Sequence, residues 1–258
     1  MSERHVKASW MQRCCGGARS IGMRDVGESW MVLQTLDRGL TILQLLSHER
    51  SAGMTVAQLA AELDVHRAIC YRLVGTLDAH GLTARTADGR VRLGAGIAAL
   101  AASYEPQLRR AAEPVLAGLA KQTTATACIA VAQGDVCIYI MSVESPDAVL
   151  HMSPRVGSRH PLSIGAAGIA ILAARQPSAT DTDAVNLARL QGYSITSGQL
   201  QIGATGIAAA IQPNRAEDLS GWNAEASVSV IGTAELNIPH AVTAVAAAAD
   251  HLTRLAAT

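Results

Sequence analysis

The sequence predicts an α+β protein in which an N-terminal winged helix-turn-helix precedes a larger mixed domain. Three observations carry this. Two short amphipathic runs, TVAQLAAELD and HRAICYRLVGTLDAHG, lie almost back to back over residues 55–81. A turn signal, Asp88-Gly89, follows inside an alternating apolar and basic stretch. Beyond Pro106, β-branched runs are mixed with alanine-rich helical ones, the mark of strands flanked by helices.

The first helix is expected from Leu36, with Leu36, Leu40, Leu43 and Leu46 on one face. Ser51-Ala52-Gly53 ends it. Thr55 stands where an N-cap belongs, and Val56, Leu59, Ala60 and Leu63 form the apolar side of a second helix. After Asp64-Val65 a third helix runs to about His80, with Ile69, Leu73 and Leu77 expected to point inward and Gly81 to close it. Asp88-Gly89 predicts a two-residue hairpin turn between LTART and RVRL. Three helices and a hairpin in this order make a winged helix-turn-helix. In that unit the second short helix braces the third, which can then enter a DNA major groove.

Residues 94–106 read as a small-residue linker helix, and a further helix is expected at about 107–122. Residues 125–145 form two β-branched runs around Gln133-Gly134-Asp135, an antiparallel hairpin. Helical character is expected at 163–174, strands at 205–211 and 225–231, and a closing helix after Pro239.

Charge and composition narrow the function. Lys+Arg and Asp+Glu are balanced at 21 each, so any nucleic-acid surface must be a local patch. Such a patch exists. Residues 65–93 hold Arg67, Arg72, Arg85, Arg90 and Arg92 against Asp78 and Asp88, a local excess of +3. There is no Phe and the aromatic fraction is 3%, which leaves Ala, Leu, Val and Ile to fill the core. The five cysteines (14, 15, 70, 128 and 137) show no Cys-x-x-Cys or zinc spacing, which suits a reducing cytoplasm and predicts no metal and no cofactor. No apolar run reaches the ~18 residues of a membrane span. Residues 1–30 contain no secretory apolar region. They read as a disordered arm, or as residues upstream of a later start at Met23 or Met31.

The residues resemble the IclR family of bacterial transcription regulators. LDRGLTILQLL before the winged helix, VES at 143–145, VGSRHPL at 156–162, QGYS at 191–194, GATGIAAAI at 203–211 and ASVSVIG at 226–232 carry the likeness through their order and spacing. The resemblance implies a DNA-binding domain over 31–93, a linker helix over 94–106, and a GAF-like effector-binding and oligomerisation domain over 107–258. Its implied partners are a double-stranded DNA operator, a small-molecule effector and further copies of the chain, as a homodimer or homotetramer. Departures are visible. Ala68 and Ile69 stand where the family has a Ser/Thr pair in the recognition helix, which predicts an unusual operator. SIGAAGIA at 163–170 has Ser163 and Ile169 in place of the family's His and Lys. The family's effector positions fall on Ala166, Ala167, Thr196, Gly206, Ser229 and Ile231. Because these include no charged side chain, an uncharged or weakly polar effector is expected, in a pocket that is apolar, reshaped or lost.

The expected DNA-contacting residues are His66, Arg67, Ala68, Tyr71, Arg72, Arg85, Arg90 and Arg92. Arg67 matches guanine by its planar fork, while His66 could equally cap the helix. No catalytic residue is expected. Ser163, His160 and Asp147 come nearest to a triad, yet no serine sits on a strand–turn–helix elbow. Asp181 and Asp183 read as a helix-start cap, and His160 as a loop residue. The alternative to a repressor with a small-molecule switch is a protein–protein adaptor descended from a decayed regulator.

Overall fold

The computed structural model describes residues 33–48, 52–148, 150–212 and 224–256. The predicted N-terminal arm, residues 1–30, lies outside them. The chain divides between Tyr104 and Glu105 into two compact units.

The first unit contains α1 (Gln34–His48), α2 (Val56–Glu62), α3 (Arg67–Ala79), β1 (Thr83–Arg85), β2 (Val91–Leu93) and α4 (Gly96–Ala102). Its core joins Ile42 and Leu46 of α1 to Val56, Leu59 and Ala60 of α2, to Cys70, Leu73, Val74 and Leu77 of α3, and to Val91 of the wing. Two expected faces are corrected here. On α1, Leu36 and Leu40 are 59% and 50% exposed, because the helix meets the core through its C-terminal half. On α3, Ile69 is 43% exposed and Cys70 takes the inward position. Cys70, Leu73, Val74 and Leu77 complete an i, i+3, i+4, i+7 stripe that has no place for Ile69.

Local chemistry explains both short helices. Thr55 and Gln58 form a reciprocal capping box at the start of α2: the Gln58 amide donates to Thr55 Oγ1 (3.2 Å) and the Thr55 amide to Gln58 Oε1 (2.8 Å). Both helices then end in the same left-handed stop. After α2 the Val65 amide donates to the Ala60 carbonyl, with Asp64 at φ 49°. After α3 the Leu82 amide donates to the Leu77 carbonyl, with Gly81 at φ 67°. The wing differs from the two-residue turn expected. Only Gly89 has positive φ, and a three-residue loop, Ala87-Asp88-Gly89, is closed by the Thr86 amide on the Arg90 carbonyl (2.9 Å). The Thr86 hydroxyl accepts from the Arg90 amide and donates to Asp88, which stabilises the longer loop.

The second unit is an antiparallel six-stranded sheet with helices on both faces. Its elements are α5 (Pro106–Thr123), β3 (Thr126–Gln133), β4 (Val136–Val143), β5 (Arg159–Pro161), α6 (Ala166–Ala174), α7 (Asp183–Gln191), β6 (Ser194–Ser197), β7 (Thr205–Ile211), β8 (Ala226–Gly232) and α8 (Ile238–Ala256). The strand order is β5-β4-β3-β8-β7-β6. Leu108, Leu116 and Leu119 of α5 and Val245 and Leu252 of α8 bury one face against Ile129, Ile207, Val228 and Val230. The other face carries α6, with α7 packed outside it. Because α6 lies between the sheet and α7, it is apolar nearly all round and made of small residues. A Cβ on Gly168 would stand 2.5 Å from the Leu162 carbonyl oxygen, so only glycine fits there.

Candidate functional site

Two surfaces concentrate the chemistry, one in each unit. The first is the outer face of α3 with the wing. His66 is the N-cap: its Nδ1 accepts the Ala68 amide (3.3 Å), which places the proton of the neutral ring on the exposed Nε2. Arg67, Ala68, Ile69, Tyr71 and Arg72 follow, all exposed. Arg85 of β1 lies over the Tyr71 ring, 5.9 Å from its centroid, and so joins the wing to the helix. Arg92 is exposed on β2. Arg90, expected to hold the DNA backbone, is engaged within the wing. Its Nε pairs with Asp88 (3.2 Å) and its guanidinium donates to the Gly53 carbonyl (3.3 Å). The Thr86 hydroxyl and Arg90 together hold the Asp88 carboxyl below the ordinary carboxylate range.

The second surface is the α6 side of the sheet. The six effector positions named from the sequence fall on this side. Gly206 pairs with Thr196 on β6 and with Ile231 on β8. A Cβ on Gly206 would lie 3.4 Å from Ala166 Cβ and 3.6 Å from Thr196 Oγ1. Ser229 is one step along β8, opposite Ala208 and Cys128. Ala167 carries its carbonyl over Ser227, which donates to it (3.1 Å).

Hydrogen bonding divides these residues. The first two amides at the start of α6 are already taken, Gly165 N–H by Gln199 Oε1 (2.9 Å) and Ala166 N–H by Thr196 Oγ1 (3.1 Å). Thr196 therefore holds the helix, whereas Ser229 Oγ is buried with no partner. Thr126 Oγ1, in register with Ile231 on the same face, is likewise buried and unpartnered. The sequence reading missed Thr126 and Gln199. The strict alternation Thr126, Cys128, Ala130 carried the signal for Thr126. Gln199 sits in a turn far from α6 in sequence, and nothing local marks it.

His160 is a strand residue rather than the loop residue expected. It lies on β5, buried beside Tyr139 with ring centroids 5.6 Å apart, and its Nδ1–H donates to the Pro161 carbonyl (2.9 Å). Burial holds its pKa below the usual histidine value, and Nε2 has no partner. Ser163 and Asp147 are exposed, and no hydrogen bond joins either of them to His160. Asp181 accepts the Ser178 amide and pairs with Arg189 (2.8 Å), which depress its pKa in that order. Thr182 is the N-cap of α7. Burial pushes the Cys128 and Cys137 thiols up to about 12, where they are inert as nucleophiles. Among the described residues no cluster of His, Cys, Asp and Glu could hold a metal ion, and no helix is long and apolar enough to cross a membrane.

Comparison with known proteins gives matches over both units. The IclR helix-turn-helix domain matches residues 35–87, and the bacterial transcriptional regulator IclR C-terminal domain matches residues 101–186. The HTH-type transcriptional regulator BhcR of Paracoccus denitrificans is 28% identical over 63% of this chain and 57% of its own length. KipR of Bacillus subtilis, another HTH-type transcriptional regulator, is 25% identical over 54% of this chain and 55% of its own. The chain thus spans little more than half the length of these curated relatives. Among solved structures, an IclR homolog from Microbacterium hydrocarbonoxydans, complexed with 4-hydroxybenzoate, aligns with a TM-score of 0.73 at 21% identity, covering 86% of this chain and 99% of that one. An IclR-type regulator from Alicyclobacillus acidocaldarius aligns with a TM-score of 0.69 at 20% identity, covering 87% and 99%. At these identities the structures speak for the shared fold.

Proposed function

Because the chain belongs to the IclR family of bacterial transcription regulators, whose members are regulators rather than enzymes, we propose that it is a repressor in the cytoplasm, released from or bound to its operator by a small-molecule effector. The observation that carries the DNA reading is the outer face of α3. Arg67, Tyr71 and Arg72 project there, Arg85 of the wing lies over Tyr71, and Arg92 is exposed on the other face of the wing, on a chain with no net charge. Five such groups contact phosphates and guanine edges while the helix lies in the major groove. Repression needs only occupancy of the DNA, whereas activation needs a further surface for polymerase.

Two-fold dimers fit this reading, since one winged helix spans only part of a site. Leu36 and Leu40 of α1 are exposed, and α4 buries none of its residues within the chain, with Leu100 exposed. These apolar groups are the ones a second copy would cover.

The effector reading rests on the unpartnered hydroxyls of Ser229 and Thr126. Each buried polar group without a hydrogen bond costs about 1–3 kcal/mol, a cost that a ligand hydroxyl or carbonyl would remove. A buried carboxylate would need a cation, and none of the six positions carries one, while the first two amides of α6 are occupied by Gln199 and Thr196. The effector is therefore uncharged or weakly polar where it meets this floor. An electrophoretic shift with DNA flanking the chain's own gene tests the regulator reading: a discrete complex is expected, and its absence at low salt would refute it. A thermal-shift comparison of 4-hydroxybenzoate with its methyl ester tests the effector class. Equal or greater stabilisation by the ester is expected, and stabilisation by the free acid alone contradicts the uncharged site.

A further inference from the structure

Between Arg67 and Tyr71, the first turn of α3 offers the bases no exposed side chain that can form a hydrogen bond. Ala68 and Ile69 have no polar side-chain atom, and the Nδ1 of His66 is occupied by the Ala68 amide. The inward stripe is complete without Ile69, which remains 43% exposed. On the outer face Ala68, Arg72, Gly75 and Ala79 recur at i, i+4, i+7 and i+11. Every one but Arg72 is small, and a Cβ on Gly75 would meet nothing within 4 Å. A helix with so low a profile can approach base edges closely. Tyr71, with Arg85 stacked on it, occupies the flank toward the wing. Ile69 stands on the opposite flank with Thr76, whose hydroxyl turns back to the Arg72 carbonyl (3.0 Å).

The major groove floor carries one apolar group that a side chain can contact, the C5-methyl of thymine. A stiff, branched, exposed isoleucine between two arginines in the helix that faces DNA has that group as its complement. We propose that Ile69, with Ala68 beside it, reads thymine methyls in the operator, and that Arg67 and Arg72 supply the charge that holds the helix in the groove. This rests on the DNA-binding reading above. It assigns to Ile69 a specificity role at the position where a hydroxyl would read hydrogen bonds.

The test uses the full chain and a duplex obtained by in vitro selection from a random library. Each thymine of the selected site is replaced in turn by deoxyuridine, which keeps every hydrogen-bonding group and removes only the methyl. One or two thymines in each half-site are expected to lose about fourfold in affinity on replacement, the effect of exposing one buried methyl-sized group. The Ile69→Ala variant is expected to show a clearly smaller difference between the thymine and deoxyuridine duplexes at one or more of those positions. A site that tolerates deoxyuridine at every thymine overturns the proposal while leaving the regulator reading intact. A loss that persists undiminished in Ile69→Ala also overturns it. Failure to select any site overturns the DNA-binding reading and this inference together.

Discussion

The face of α3 and the α6 side of the sheet are built to opposite rules. On α3 the exposed side chains line the outer face, and the backbone ends are satisfied by caps within a few residues: His66 with Ala68, Gly81 with Asp78. On the sheet the groups that matter are buried, and their partners come from distant segments. Thr196 and Gln199 hold the start of α6 across some thirty residues (offsets 30 and 34), while Ser229 and Thr126 have no partner. An exposed reading surface costs nothing to keep open, because water solvates it until DNA arrives. A buried surface with unpartnered hydroxyls is destabilising for as long as they lack a hydrogen bond.

Substitutions can break or sharpen this contrast. The largest effect is expected in the packed layer. Gly168→Ala forces a Cβ against the Leu162 carbonyl and should destabilise the second unit by about 2–3 kcal/mol, read from the urea midpoint. An unchanged midpoint would mean that α6 is not fixed against the sheet. Ser229→Ala has the opposite sign: removal of an unpartnered buried hydroxyl should raise ligand-free stability by about 1 kcal/mol while weakening any effector that bonds there. Loss of stability would show that Ser229 has a partner in solution. In the first unit, Asp64→Gly relieves a left-handed residue and should add up to about 1 kcal/mol, since Gly81 performs the same stop without strain. No gain would mean that the Asp64 side chain offsets its own backbone.

The smallest effect is a pH dependence. Burial holds His160 neutral in the folded state, with a pKa below the ~6.5 of the unfolded chain. The unfolded state therefore binds the proton first, and stability contributed by neutral His160 falls as pH drops below about 6.5. The wild-type chain should lose more stability between pH 7.5 and 5.5 than His160→Gln does. Equal losses would show that the ring is protonated in place.

The same contrast explains what could be read from the sequence. The helix-turn-helix is local, and period and cap chemistry located Thr55, Gly81 and the order of α1 to β2. Errors came where a third element decided the outcome. Ile69 fits an amphipathic pattern as well as Cys70 does, until the packing of α2 and the wing chooses the face. Asp88-Gly89 signals a turn, but the Thr86 hydroxyl selects the longer loop. In the second unit the hairpin around Gly134 was legible because its strands are adjacent. The three-residue β5 was not, since it is defined by its pairing with β4 more than twenty residues away; the edge strand β6 pairs with the neighbouring β7, but its four residues are too few to show a period. The alternation put Thr126 on one face with Cys128, but only register placed that face beside Ile231.

The central claim is that α3 and the wing read DNA, and fluorescence anisotropy tests it most directly. The full chain is titrated into a duplex selected for binding and into a scrambled duplex, at about 150 mM salt, alongside an Arg67→Ala/Arg72→Ala double variant. The account predicts that the wild-type chain prefers the selected duplex by at least about 10³-fold. It predicts that the double variant loses that preference and shows a shallower dependence on salt, because two phosphate- or base-neutralising charges are gone. A double variant that binds the selected duplex as the wild type does would contradict the account.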